Sequence, residues 1–145
     1  MEKSISSRRD FLRTTGVVAT SIILPRQVMA ALAKIKKPIK LGMITDLHQD
    51  VMHDGPARLK AFLDAMNEEK PDALLQLGDF AYPTKKNEAV TKAFEKAHPR
   101  TLHVLGNHEI DDGHSFDEVA KLWGMKGRYY TENVNGLDLI VLDAN

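Results

Sequence analysis

The sequence predicts an α/β fold in which strands and helices alternate as β-α-β-α-β-α before a final β-hairpin. Short apolar runs of strand length alternate with longer segments whose apolar residues recur at helical spacing. Pro71 and Pro99 each follow a helical segment and end it. Asn135-Gly136, between the last two strand-like runs, is a strong hairpin signal. Strands connected through helices imply a parallel sheet with helices packed on it.

The first strand-helix-strand unit begins at Ile39. Residues Ile39–Thr45 form a short apolar run that is typical of a buried strand. A helix is expected at Pro56–Lys70, because proline is favoured in the first turn and an apolar stripe follows. That stripe consists of Leu59, Phe62, Leu63 and Met66. The second strand is expected at Ala73–Leu77.

The next elements repeat this alternation. A helix is expected at Asn87–His98 and a third strand at Thr101–Leu105. Residues Ser115–Glu118 have the pattern of a capping box, which predicts a short helix extending to Trp123. The hairpin strands are expected at Tyr129–Val134 and Leu137–Asp143.

Composition limits the classes of function. The chain has 145 residues, enough for one domain, and its 43% hydrophobic and 28% charged residues are ordinary for a globular protein. Its formal net charge is zero, so electrostatics gives no reason to expect a nucleic-acid partner. It contains no cysteine, which excludes disulfides, thiolate metal sites and a cysteine nucleophile.

Residues 1–33 have the pattern of a twin-arginine export signal, and residues 34–145 are expected to form the folded domain. Arg8-Arg9 precedes an apolar run at Thr14–Leu24, and small residues suggest cleavage near Ala30 or Ala33. This run is shorter than the roughly 20 residues of a membrane span, so no stable membrane anchor is expected. We therefore expect a bacterial protein that the twin-arginine translocase delivers to the periplasm or outside the cell.

Polar clusters follow each of the three predicted parallel strands. They are Asp46-Leu47-His48, Gly78-Asp79 and Gly106-Asn107-His108-Glu109. Successive clusters are separated by about 30 residues, the length of one strand-helix unit, so all three should meet at the carboxyl edge of the sheet. Turn formation alone would explain one such cluster, since Asp, Asn and Gly favour turns. It does not explain the histidines in two of them.

The residue types in these clusters suit hard or borderline metal ions such as Mn, Fe, Zn or Mg. Asp46 and His48 are two residues apart in an extended segment, so both side chains can reach one ion. Gly78 and Gly106 precede the polar residues and allow the backbone to approach closely. Asp79 could bridge two ions with its two carboxylate oxygens.

The three motifs, in this order, resemble those of the calcineurin-like metallophosphoesterases. The resemblance implies the N-terminal half of that family's β-sandwich with flanking helices, and hydrolysis of a phosphomonoester or phosphodiester substrate by a hydroxide bridging two metal ions. It implies Mn, Fe or Zn as divalent or mixed-valence ions. Asp46 and His48 would bind the first ion, Asp79 would bridge both, and Asn107 would bind the second. His108 would be the catalytic residue, contacting the phosphate and assisting the leaving group.

Three further residues could contact substrate or metal. Gly78-Asp79-x-x-Tyr82 is similar to a purple acid phosphatase motif in which tyrosine is a ferric ligand. Because His48 would compete for the same position, we favour His48 as the ligand and Tyr82 as a wall or substrate contact. Glu109 follows His108 but need not be the acid that holds it. His53 lies in the loop after the first cluster and could reach the site.

The resemblance also implies ligands that this sequence does not contain. The second half of the family's domain supplies a lone histidine and then Gly-His-x-His. We therefore expect this chain to be an incomplete fragment that binds metal weakly, has little activity alone and exposes an apolar sheet face. The alternative is a non-catalytic exported protein that retains one partial metal site.

Overall fold

The structure is a computed structural model that describes residues 37–143. The predicted export signal and its cleavage positions lie outside these residues. Within the described part of the chain, no helix is long and apolar enough to cross a membrane.

A three-stranded parallel sheet forms the centre of the described chain. Its strands are β1 (Leu41–Ile44), β2 (Ala73–Leu77) and β3 (Thr101–Val104), in the spatial order β1-β2-β3. In the register of this sheet, Leu41 pairs with Ala73 and Leu74 pairs with Thr101. All three strands therefore end at the same edge, as the predicted α/β topology requires.

Three α-helices of the described chain connect these elements: α1 (Gly55–Glu69), α2 (Glu88–Ala97) and α3 (Phe116–Leu122). Proline lies in the first turn of α1, as expected, and Lys70 ends the helix in a left-handed conformation. A complete capping box starts α3. The Glu118 amide donates to Ser115 Oγ at 3.3 Å, and the Ser115 amide donates to Glu118 Oε2 at 2.8 Å. The predicted order of helices and strands is thus confirmed.

The final hairpin consists of β4 (Tyr130–Val134) and β5 (Leu137–Val141), which pair antiparallel. Asn135 and Gly136 form its two-residue turn with φ values of 52° and 97°. Positive φ at both positions is the geometry that matches the twist of two paired strands.

The sheet is covered differently on its two faces. One face packs against the helices around the buried side chains of Leu59, Leu74, Phe94 and Val119. The hairpin covers the other face, where Ala73, Leu75, Leu102 and Val134 are buried together. Side-chain alternation along the strands separates these two cores.

The hairpin leaves part of its face of the sheet uncovered. Met43 shares that face with Leu41, and Leu77 shares it with Leu75, because each pair is two residues apart. Met43 is 57% exposed and Leu77 is 41% exposed. The apolar sheet face that was expected to be exposed is therefore exposed only in part, at Met43 and Leu77.

Candidate metal centre

The three polar clusters meet at the carboxyl edge of the parallel sheet, where the first two lie side by side beyond the ends of β1 and β2. The amides of Asp46 and His48 donate to the carbonyls of Gly78 and Asp79 at 3.2 and 2.9 Å. This extension of backbone pairing places the first cluster directly against the second.

Asp46, His48 and Asp79 form a group that could hold a metal ion, with one ligand atom from each residue lying within 4.8 Å of the others. His48 Nε2 lies 3.7 Å from Asp46 Oδ1 and 3.5 Å from Asp79 Oδ2. Ligand atoms that surround one ion at about 2.1 Å lie roughly 3–3.5 Å apart. The two distances from His48 Nε2 are close to this spacing, so the group is compatible with one metal ion.

Two glycines allow this approach. A Cβ atom on Gly106 would lie 2.1 Å from Asp79 Oδ1 and 2.6 Å from the Asp79 amide nitrogen. A Cβ atom on Gly78 would lie 2.8 Å from the Gly106 nitrogen, and Gly78 has a φ of +99°. Neither position has room for a side chain, in agreement with the close approach expected from the sequence.

Helix α1 is hydrogen-bonded to the backbone of the first cluster through Arg58. The Arg58 guanidinium donates to the carbonyls of Asp46 and Leu47 at 3.0 and 3.1 Å. Leu47 points away from the metal group and is fully buried in the helical core. The alternation of Asp46, Leu47 and His48 thus anchors the segment while leaving both polar side chains at the surface.

His108 lies next to this group in the third cluster. Its amide donates to Asp79 Oδ1 at 3.0 Å, and its ring contacts the His48 ring edge-on with centroids 4.7 Å apart. Tyr82 stacks on the His108 ring at 4.4 Å. His108 Nδ1 lies 3.4 Å from Asp111 Oδ2. His108 Nε2 is buried without a hydrogen-bond partner among the described residues.

Glu109 is fully buried and connects the second and third clusters. Its carboxylate accepts hydrogen bonds from the amides of Asp79, Phe80 and Gly106 at 3.2, 2.6 and 2.8 Å. Burial raises the pKa of Glu109, although these hydrogen bonds act in the opposite direction. The side chain therefore holds the two loops in place from the interior and does not face the metal group.

The remaining predicted site residues are Asn107, His53 and Tyr82. Asn107 is exposed between Gly106 and His108 at the end of β3. His53 is exposed on the turn before α1 and is not part of the metal group. Tyr82 lies against His108 as a wall of the site.

Sequence reasoning missed two aspartates beside His108. Asp50 Oδ2 lies 3.9 Å from His108 Nε2, on the opposite side of the ring from Asp111. The spacing Asp46-x-His48-x-Asp50 was the available signal, but the segment is a loop with positive φ at Asp46 and His48 and not the extended backbone expected from the sequence. Asp111 lies three residues after His108, one turn further along the 3-10 helix at His108–Ile110.

Comparison with known proteins identifies a family and a similar solved structure. Residues 39–145 match the sequence profile of the family described as calcineurin-like phosphoesterase. The crystal structure of a dimetal phosphatase from Danio rerio is similar, with a TM-score of 0.44 and 15% identity. The likeness covers 57% of this chain and 33% of that one, so this chain spans about a third of that structure. No protein of curated function matches the sequence significantly.

Proposed function

The chain belongs to the calcineurin-like phosphoesterase family, and we propose that its strand-end clusters act in metal-dependent hydrolysis of phosphate esters. The observation that carries this proposal is the convergence of Asp46, His48 and Asp79, with ligand atoms 3.5–3.7 Å from His48 Nε2. These residues follow two different strands, and only the fold brings them together.

Asp46, His48 and Asp79 would hold one ion, and Asp79 together with Asn107 would contribute to a second. The oxygen and imidazole donors suit Mn, Fe or Zn. Bound ions of this kind polarise phosphoryl oxygens and lower the pKa of water. The chain's own contribution is to fix the ligands, since Arg58 and Glu109 hold the loops that carry them.

His108 would assist the departure of the leaving group. It lies between two carboxylates, with Asp50 Oδ2 3.9 Å from Nε2 and Asp111 Oδ2 3.4 Å from Nδ1. Its Nε2 has no hydrogen-bond partner among the described residues, and we propose it as the donor to a substrate oxygen. Tyr82 and His48 restrict the movement of the ring from two sides.

A second candidate function is metal binding without catalysis by this chain. It is favoured by the difference between the two proposed ion positions. Within residues 37–143, one group of three histidine and carboxylate ligands is found, consisting of Asp46, His48 and Asp79. Within the described part of the chain, the proposed ligands of the second ion are Asp79 and Asn107. For this reason we propose that the chain alone binds metal weakly and turns over substrate slowly.

Hydrolysis of nitrophenyl phosphate and bis-nitrophenyl phosphate tests these alternatives and separates monoesterase from diesterase activity. We expect slow turnover that requires added Mn²⁺ or Zn²⁺ and is lost in Asp79→Ala and His108→Ala. The exposed His53→Ala is the matched control and should retain turnover. Zinc binding without any turnover would support the non-catalytic alternative. Turnover that survives both site variants would refute the assignment of the site.

We also propose that residues 1–33 direct export through the twin-arginine translocase to the periplasm or beyond. Arg8-Arg9 and the apolar run that follows support this proposal. Replacing both arginines by lysine should retain the chain in the cytoplasm of a bacterial host, as measured by cell fractionation. Unchanged export of this variant would contradict it.

A further inference from the structure

Asp50 is a buried carboxylate beside the metal group that the proposed chemistry leaves without a role. Its side chain is 8% exposed, and it is not a member of the metal-binding group. Both of its oxygens accept hydrogen bonds from elsewhere. The Tyr82 amide donates to Oδ2 at 2.6 Å, and Asn87 Nδ2 donates to Oδ1 at 2.5 Å. Charge-assisted bonds of this kind are among the stronger ones in proteins.

Asn87 completes this arrangement from the start of α2. It is 1% exposed, and its amide also donates to the Tyr82 carbonyl at 3.0 Å. Tyr82 is therefore held on both sides of its backbone, with its N–H bound by Asp50 and its C=O bound by Asn87. We call this pair of residues the Asp50–Asn87 clasp.

The clasp fixes the residue whose ring covers His108. Tyr82 and His108 are stacked with ring centroids 4.4 Å apart and an interplanar angle of 26°. Asp50 Oδ2, the oxygen that binds the Tyr82 amide, also lies 3.9 Å from His108 Nε2. The same carboxylate therefore holds Tyr82 and faces the histidine on which Tyr82 is stacked.

We propose that Asp50 and Asn87 are positioning residues that hold Tyr82 against His108 and so fix the orientation of the His108 ring. This inference rests on the proposed function for the catalytic consequence, but the stacking itself is independent of it. Asp50 acts through Tyr82, whose amide it binds at 2.6 Å. It lies too far from His108 Nε2 for a direct hydrogen bond.

The isosteric variant Asp50→Asn tests the clasp. Asparagine offers one acceptor oxygen, and its NH₂ group would face one of the two donors that converge on Asp50. We expect exchange of the Tyr82 amide proton to become roughly tenfold faster. We also expect loss of nuclear Overhauser contacts between the Tyr82 and His108 rings, measured on the isotopically labelled full chain.

One further variant controls this experiment. Asp64→Asn removes an equal charge from an exposed position on α1 and should change neither measurement. Ring contacts and exchange unchanged from wild type in Asp50→Asn would overturn the proposal.

Zinc calorimetry and hydrolysis separate this proposal from the proposed function. In Asp50→Asn, zinc affinity should stay within about twofold, while kcat for nitrophenyl phosphate falls roughly tenfold at unchanged KM. A parallel fall in zinc affinity would show general structural support and overturn the positioning role. Absence of zinc binding by the wild-type chain would refute the proposed function, and the ring contacts would still decide whether the clasp exists.

Discussion

At the scale of single residues, the metal group is built on backbone conformations that side-chain-bearing residues rarely adopt. Asp46, His48 and Asp79 have φ values of 52°, 47° and 54°. Each such conformation costs on the order of 1 kcal/mol or more, and Asp and His tolerate it better than most residues. The surrounding hydrogen bonds to Arg58 and Glu109 offset this strain. The three ligands are thus held in place before any ion binds.

Gly106→Ala should disrupt this arrangement, because the new Cβ would overlap the Asp79 carboxylate and amide. We expect zinc affinity, measured by calorimetry, to fall at least about tenfold. Gly124→Ala is the matched control, since Gly124 also has positive φ but open space around its Cβ position. That control should lose about 1 kcal/mol of stability and no zinc affinity. Equal zinc affinity in both variants would contradict the steric account.

At the scale of elements, β2 and β3 are joined by a buried polar pair on the helical face of the sheet. Gln76 Nε2 lies 3.2 Å from His103 Nδ1 and donates to the Val104 carbonyl at 2.9 Å. Gln76 Oε1 accepts from the Gly78 amide at 2.8 Å, so the same side chain supports the turn that presents Asp79. Burial lowers the pKa of His103 to about 4.

This pKa predicts a pH dependence of stability. Between pH 6.5 and 4 the unfolded state binds a proton at this position and the folded state does not. The contribution of His103 is therefore complete above pH 6.5 and lost as pH falls toward 4, at up to about 1.4 kcal/mol per pH unit. Urea unfolding from about pH 7.5 to about pH 4.5 should show a shallower decline in His103→Gln than in wild type. His53→Gln should keep the wild-type slope, and identical slopes in all three proteins would refute the assignment.

At the scale of the described chain, the hairpin is attached to the sheet through a tyrosine as well as through apolar packing. Tyr130 Oη donates to the His103 carbonyl at 2.7 Å and accepts from the His103 amide at 3.1 Å. The hydroxyl thus satisfies both backbone groups of a residue on β3, one of the two edge strands of the sheet. Val134 adds a fully buried apolar contact to the same face.

Tyr130→Phe removes this attachment and keeps the ring. Because two buried backbone groups lose their partner, we expect the free energy of unfolding to fall by about 2 kcal/mol in urea titrations. Tyr129→Phe is the matched control, since Tyr129 is 62% exposed, and it should change stability little. A Tyr130→Phe chain as stable as the control would show that apolar packing alone holds the hairpin.

Much of this architecture follows from local sequence signals. Proline positions, the Ser115 capping box and the Asn135-Gly136 turn each act over a few residues, and each is found where it was predicted. The convergence of Asp46 with Asp79 also followed from the sequence, because parallel topology forces it.

The side-chain contacts that the sequence did not predict join residues that are far apart in the chain. Asp50 binds Asn87, 37 residues away, and no local pattern links them. The Tyr130 hydroxyl contacts His103 only because the hairpin folds over the sheet. Glu109 belongs to a predicted motif, but its inward direction depends on the amides of Phe80 and Gly106. Side-chain direction at loop positions is set by such partners more than by spacing.

Zinc titration of the wild-type chain and Asp79→Asn by calorimetry tests the central claim most directly, because Asp79 is common to both proposed ion positions. We expect the wild-type chain to bind zinc, the affinity to fall at least about tenfold in Asp79→Asn, and His53→Gln to match the wild type. Zinc binding of equal strength in Asp79→Asn, or none in the wild-type chain, would contradict a metal centre at the carboxyl edge of this sheet.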